Sequence, residues 1–282
     1  MYAGRSKNNE IFGFLSDSMY LKDEYNLTVL IPTFNERENI RPMILTVNEI
    51  FHRSGIRGHI LIVDDNSWDG TIEEVKSLIP SFRNLSLIVR YDNHGLSPSL
   101  YEGLLLSPTN LVQCIDCDFS HPPELIPEFY RYLKEENVDM VIGSRYVRGG
   151  GSVNWPLIRR ILSYGAAVLG RFIIPVVHDS GSGFFAINRR TLTGARLTPR
   201  GFRMGFEILG KGRWQSVKEI PFIFRNRNAG KSKLKPLIII QFLIQMGGIL
   251  TYNFIFRASD NVIMAWRLHL FKKYNQSQQK IT

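Results

Sequence analysis

LTVLIPTFNE, residues 27–36, opens with an apolar and β-branched run, stops at a proline and passes straight into polar residues. A short run bounded in this way predicts a buried strand. Ile40, Ile44, Val47, Ile50 and Phe51 then recur at helical spacing across residues 36–54. A second apolar run, HILIV at 59–63, ends in Asp64-Asp65-Asn66-Ser67, and a helix is expected over 71–79. The alternation continues with a strand at 85–90, a helix at 96–106, a strand at 111–115, a proline-initiated helix at 122–135 and a strand at 138–142. Continuous apolar strands alternating with helices predict an α/β fold, a mostly parallel sheet with helices on both faces. Such folds bind ligands at strand carboxyl ends, near the reversal of strand order. The polar clusters fall there: Pro32-Thr33-Phe34-Asn35-Glu36, Asp64-Asp65, Asp116-Cys117-Asp118 and Gly143-Ser144-Arg145.

The whole chain supports a packed core. It has 282 residues, 44% of them hydrophobic and 21% charged, which excludes whole-chain disorder. A net charge of +10 points to an anionic partner such as nucleic acid, a phosphorylated ligand or a membrane surface. Two cysteines exclude a disulfide scaffold and a four-thiolate zinc site. A mean hydropathy of −0.09 is too polar for a multi-span membrane protein. Residues 1–26 hold no apolar run of signal-peptide length and read as an extension outside the main fold, placing the protein in the cytoplasm or on a cytoplasmic membrane face. Residues 236–256, PLIIIQFLIQMGGILTYNFIF, carry no charge. About 20 apolar residues span a bilayer. Gln241, Gln245 and Asn253 interrupt the run, and both flanks are basic: Lys231, Lys233 and Lys235 before it, Arg257, Arg267, Lys272 and Lys273 after. Basic residues on both sides suit a helix lying in the membrane interface, with a single span as the other membrane reading and a buried helix of the soluble domain as the plainer alternative. Residues 260–274 predict a second, amphipathic helix.

Asp116 and Asp118 leave a strand with one residue between them. Two carboxylates so placed can face one cation through oxygen, a donor set for Mg²⁺ or Mn²⁺ and through it a diphosphate. The plainer reading is a strand-end turn capping the next helix. Neither G-x-x-x-x-G-K-[ST] nor G-x-G-x-x-G occurs, so Walker-type ATPases and dinucleotide oxidoreductases find no support. Cys114 and Cys117 have C-x-x-C spacing, but one lies in a strand and the other between carboxylates that disfavour a thiolate. They read as a core residue and a small loop residue. Arg145 stands at a strand end, where its planar fork suits phosphate, and Arg148, Arg159 and Arg160 follow. A helix restarting at Trp155-Pro156 carries Arg159 and Ser163. The basic loop at 225–233 suits closure over a phosphate or attraction to anionic lipid.

The segments IPTFNERENI, IVDDNSWDGT, DCDFSHPPE, IGSRYVRGG, NWPLIRR, SGFFAINR and AGKSKL, in that order, resemble family 2 glycosyltransferases of the GT-A (Rossmann-like) fold. Within them they are most similar to the dolichol-phosphate (polyprenol-monophosphate) mannose synthases. The resemblance covers about residues 27–234 and implies three parts: an extension at 1–26, a GT-A domain at 27–235, and an apolar membrane-associated helix with a basic amphipathic tail at 236–282. It implies that Pro32, Phe34 and Glu36 hold the base and ribose and that Asp65 contacts the base. Asp116 and Asp118 match the diphosphate and metal motif, with Cys117 between them on the donor side. Ser120 replaces a Gln that helps hold the metal in several members. Arg145, Arg159 and Ser163 match the acceptor-phosphate side. Arg203, Arg227 and Lys233 match basic residues near the donor; Arg203 stands where Lys is common, and Lys231 replaces a frequent acidic residue. The catalytic set is then Asp116, Asp118 and Arg145. Asp179, ahead of Ser180-Gly181-Ser182-Gly183, is expected to orient the acceptor or a basic partner. The processive signature QxxRW is absent, since Arg213-Trp214-Gln215 has the wrong order.

The implied reaction is transfer of mannose from GDP-mannose to dolichyl or polyprenyl phosphate, with inversion, at the cytoplasmic membrane face. It would use Mg²⁺ or Mn²⁺, with small membrane anchor subunits as partners in some relatives and no nucleic acid. A lipid phosphate is already anionic near neutral pH, so cationic side chains matter more than a strong base. Two alternatives stand beside it. One is a relative that uses UDP-glucose or another UDP-sugar. The other is a non-enzymatic basic membrane-surface module, which accounts for the charge but not for carboxylates at successive strand ends.

Overall fold

The computed structural model describes residues 9–13, 24–199, 201, 203–225 and 237–257. The strands are β1 (Glu10–Gly13), β2 (Leu27–Thr33), β3 (Gly58–Asp64), β4 (Leu85–Val89), β5 (Leu111–Cys114), β6 (Met140–Ser144), β7 (Gly151–Ser152), β8 (Phe185–Asn188), β9 (Val217–Pro221) and β10 (Ile223–Phe224). The helices are α1 (Arg37–Ser54), α2 (Thr71–Leu78), α3 (Leu96–Leu106), α4 (Ile126–Lys134), α5 (Leu157–Ile173), α6 (Met204–Lys211) and α7 (Leu237–Arg257).

Eight strands form one sheet in the order β1-β4-β3-β2-β5-β8-β6-β9. From β4 through β3 and β2 to β5 all neighbours are parallel, and β6 pairs parallel with β9. The chain builds outward from β2 to β3 and β4, then crosses back to place β5 on the other flank of β2. Strand order therefore reverses between β2 and β5, which opens a crevice at their carboxyl ends.

Successive residues of β2 face opposite layers. Leu27, Val29 and Ile31 join the core beneath α1, α2 and α4. Leu30 joins a second core with Leu100 and Leu104 of α3 and Phe206, Ile208 and Leu209 of α6. Burial on both faces explains why the strands read as unbroken apolar runs.

Three features depart from the sequence reading. Pro32 does not stop β2; the strand pairs with β3 through Thr33. Pairing with β5 ends at Leu30, and Leu30 O accepts from Ile115 N on that flank. Pro32, two residues on, points the same way, where no ladder bond remains to be lost. Glu10–Gly13, within the expected N-terminal extension, is antiparallel to β4 and forms one edge of the sheet. β8, which the alternation did not suggest, inserts antiparallel between β5 and β6. It moves β6 and its Arg145-bearing end one strand further from β2.

Candidate active site

The loops after β2 and β3 are zipped together. Thr33 Oγ1 and Ser67 Oγ donate to Asp64 Oδ2 at 2.6 and 2.8 Å, and Ser67 N donates to Oδ1 at 2.7 Å. Burial pushes the Asp64 carboxyl upward, against the pull of these bonds. Asn35 N donates to Ser67 Oγ, Trp68 N to Asn35 Oδ1, and Glu36 N to Thr71 Oγ1. Phe34 and Trp68 meet edge-on at 5.0 Å and stand exposed at the rim. Phe34 and Glu36 thus lie on the loop that follows β2 and is tied to the loop after β3.

Asp65, the expected base contact, is buried and held by the protein itself. Arg90 Nη1 binds Oδ1, Ser99 Oγ donates to Oδ1 at 2.8 Å, and Gly95 N donates to Oδ2 at 2.6 Å. Arg90 also donates to Glu102 Oε2 and Asn93 O. Sequence reasoning passed over Arg90, although it follows a strand just as Arg145 does.

After β5 the chain turns through Phe119 at φ 59°. Asp118 is buried and accepts from Ser120 N at 3.0 Å, whereas the Asp116 side chain is one-third exposed. Cys117 is buried between them. Burial first, then the fields of Glu36, Asp118, Asp116 and Asp64, raise its thiol pKa well above the usual value. The sulfur is a neutral filler, and its surroundings show that carboxylates from three strand ends converge here. Cys114 is likewise raised by burial, and both free thiols are buried, which disfavours the thiolate form. Ser120 Oγ is buried and has no hydrogen-bond partner among the described residues. Two carboxylates and this hydroxyl form an all-oxygen donor set that fits a hard divalent cation. Among the described residues no three His, Cys, Asp or Glu side chains gather into a self-sufficient metal cluster. A cation here would therefore need oxygens from its ligand, the usual habit of Mg²⁺ with phosphates.

His121 was quoted within a motif but not read as a functional residue. Its Nδ1 accepts from Asp116 N at 3.1 Å, which leaves the proton on Nε2. The ring stacks on Phe184 at 5.0 Å and 8° and is enclosed edge-on by Phe222 and Phe224. Burial holds it neutral, and Asp116, Asp118, Arg145 and Asp179 all act on it. One imidazole thus stands between the acidic loop and the basic cluster.

That cluster starts at the end of β6. Arg145 grips Asp179 in a bidentate pair, Nε to Oδ2 at 2.7 Å and Nη2 to Oδ1 at 2.8 Å, and its own N–H also donates to Oδ2. Burial opposes its charge but the Asp179 carboxylate outweighs it, so the guanidinium stays protonated. Asp179 is in turn fixed through its N–H by Glu219 of β9, which also binds His178. The expected orienting role of Asp179 is therefore filled by a basic partner. Arg159 lies 4.1 Å over the Trp155 ring and Arg145 5.4 Å from it, so one indole backs two guanidinium groups. Tyr146 Oη donates to Ser163 Oγ at 2.7 Å. Arg203 also joins this cluster, where Arg145 and Asp179 act on it. Arg227 and Lys233 lie outside the described residues, as do residues 260–274.

A family model described as Glycosyl transferase family 2 matches residues 28–196. The chain is 37% identical over 220 residues to a dolichol-phosphate mannosyltransferase of Pyrococcus furiosus, covering 77% of this chain and 61% of that one. Proteins of the same name from Saccharomyces cerevisiae and Mycosarcoma maydis are 30% and 33% identical; the matches cover 84% and 80% of this chain and 90% and 80% of theirs. The chain thus spans about three-fifths of the archaeal relative and most of the other two. Among solved structures, glucosyl-3-phosphoglycerate synthase from Mycobacterium tuberculosis with Mn²⁺, uridine diphosphate and phosphoglyceric acid superposes with a TM-score of 0.58 at 18% identity, covering 81% of this chain and 79% of that one. That likeness establishes the fold, a mostly parallel GT-A-like sheet.

Proposed function

The chain belongs to glycosyl transferase family 2, and we propose that within it the protein transfers mannose from GDP-mannose to a dolichyl or polyprenyl phosphate with inversion. The observation that carries this is His121, whose Nδ1 accepts from Asp116 N in the acidic loop and which lies close enough to the Arg145–Asp179 pair for both charges to act on it. A diphosphate held at the carboxylates would face a phosphate held at the arginines.

Asp116, Asp118 and Ser120 Oγ would hold Mg²⁺ or Mn²⁺, which when bound supplies positive charge against the departing diphosphate. The remaining work falls to the chain's own residues. Asp65 with Arg90 floors the base pocket, and Phe34 with Trp68 rims it. Arg145, fixed in direction by Asp179, and Arg159, laid on Trp155, hold the acceptor phosphate by charge-assisted hydrogen bonds. A phosphate monoester is ionised near neutral pH, so its oxygen needs no base before it attacks the anomeric carbon. The Tyr146–Ser163 hydroxyl pair adds neutral donors. Holding the two reactants in line supplies much of the rate, and a single displacement inverts the centre.

The setting is a membrane surface. α5 exposes Leu157, Ile158, Ile161, Leu162, Leu169 and Phe172, and α7 beside it exposes Ile240, Leu243, Ile244, Leu250 and Phe254. An apolar face of this extent on two adjacent helices suits lodging at a lipid headgroup boundary. Among the described residues no helix is long and apolar enough to cross a membrane. We read α7 as lying on the cytoplasmic face, with residues 27–235 as the catalytic domain and 236–282 as its membrane-associated section. The same face is where a small anchor subunit would seat.

The test is transfer of radiolabelled sugar into polyprenyl phosphate from GDP-mannose, GDP-glucose, UDP-glucose and UDP-N-acetylglucosamine, with and without a divalent cation. Mannolipid formed from GDP-mannose and lost on chelation is the expected result. Transfer from a UDP-sugar alone reassigns the donor, and no transfer from any donor overturns the reading.

A further inference from the structure

Gln245, one of the polar residues that interrupt the apolar run of α7, has a use in the fold. α6 and its N-cap present Arg203, Glu207 and Lys211 four residues apart, on one helical stripe. α7 answers with Phe242, Gln245, Ile249 and Tyr252. The Arg203 guanidinium lies 4.4 Å over the Phe242 ring, which also packs on Phe206. Gln245 Nε2 donates to Arg203 O at 3.1 Å and to Glu207 Oε2 at 3.2 Å. Ile249 sits over Gly210, where a Cβ would meet its side chain at 2.6 Å. Lys211 pairs with Glu207 at 2.6 Å beneath Tyr252.

On its other side Arg203 lies against Gly181, where any side chain would collide with Nη1. Among the described residues no carboxylate or carbonyl accepts from this guanidinium. Burial and the neighbouring Arg145 lower its pKa to about 10, against the weaker opposing pull of Asp179 and Tyr146. A cation held beside another cation, without an acceptor of its own, is arranged for an anion.

We propose that Phe242 and Gln245 of α7 are positioning residues that hold Arg203 beside Arg145 to receive the acceptor's phosphate. The inference rests on the transferase reading above and departs from the donor-side place that the resemblance gave Arg203. It makes α7 two-faced. Its exposed side rests on lipid, while its buried side sets one guanidinium of the phosphate site.

The test is binding of farnesyl phosphate to the full chain in detergent, with GDP binding and thermal midpoint measured in parallel. Arg203→Ala should weaken farnesyl phosphate binding roughly 20-fold or more, since a charge-assisted bond is removed. Phe242→Leu and Gln245→Leu should each weaken it about 5-fold, with GDP affinity unchanged, because they displace the group without deleting it. Either change combined with Arg203→Ala should be no weaker than Arg203→Ala alone. Two separate helix contacts are probed, so one unstable variant leaves the other informative. Full additivity with Arg203→Ala, equal loss of GDP binding, or no binding of farnesyl phosphate by the wild type each overturns the inference. The transferase reading fails separately, when the wild type transfers no sugar.

Discussion

The acidic and basic sides of the crevice are made from different material. On the acidic side, charges at the ends of β3 and β5 are satisfied by backbone N–H groups and hydroxyls of the loops, as at Asp64 and Asp118, with the Arg90 guanidinium added at Asp65. On the basic side, guanidinium groups rest on aromatic rings and on one fully buried carboxylate, Asp179, and part of their support comes from a helix whose far face is apolar and exposed. The first arrangement is rigid and local to the parallel sheet. The second depends on pieces that reach the site only when α5, α6 and α7 have packed. The difference teaches that chemistry and stability should separate on the acidic side and fall together on the basic side.

Asp118→Ala presses hardest on that contrast. It removes a carboxylate from the candidate cation site together with the bond from Ser120 N, so transfer should drop by roughly three orders of magnitude while the thermal midpoint falls far less than in a variant that strands a buried charge. Transfer at the wild-type rate would break the comparison on its acidic side. Asp179→Asn should behave oppositely, costing both activity and about 3–5 kcal/mol in a denaturant titration, because Arg145 would be left buried without its counter-charge. A variant that lost transfer but kept its stability would show that the basic side is no more interdependent than the acidic one.

His121→Phe sharpens the boundary between the two. The stack on Phe184 survives, but Asp116 N loses its acceptor. A fall in kcat of about tenfold is expected, on the order of one lost hydrogen bond, with the pH profile of kcat unchanged around neutral pH, since burial lowers the ring's pKa and favours its neutral form. A profile that moved with the substitution would make His121 a titrating catalyst. The smallest effect concerns the opposite end of the acidic strands. Burial pushes His59, on β3, down to about 3 from its ordinary 6.5. The unfolded chain then binds a proton that the folded chain refuses, so stability falls as pH drops below 6.5 and continues to fall toward 3. His59→Leu should flatten that acid limb in thermal melts, with no change in transfer at neutral pH.

The acidic half of the site was legible because each piece repeats one local pattern, an apolar run followed at once by carboxylates. Asp116, Asp118, Asp65 and Glu36 were all found in this way. Arg90 and His121 carried the same positional signal, yet their value lies in what they touch: Asp65 in one case, a backbone N–H and three phenyl rings in the other. β8 was missed because Phe185–Asn188 is short and pairs antiparallel in a chain whose alternation announced parallel strands. Gln245 of α7 read as a blemish in an apolar run, since no sequence pattern distinguishes a polar group facing lipid from one bonded to a neighbouring helix.

By itself the sequence determined the alternation of strands and helices, the burial of the strands on both faces, and the strand ends at which carboxylates would gather. These follow from local periodicity, which is a property of the chain. Only the tertiary structure decided that Asp179 would clamp Arg145, that one indole would back two guanidinium groups, and that Arg203 would lie between Gly181 and Phe242. Arg145 and Asp179, and Arg203 with Gly181 and Phe242, are tens of positions apart, and the energies of these contacts exist only once the intervening helices have packed.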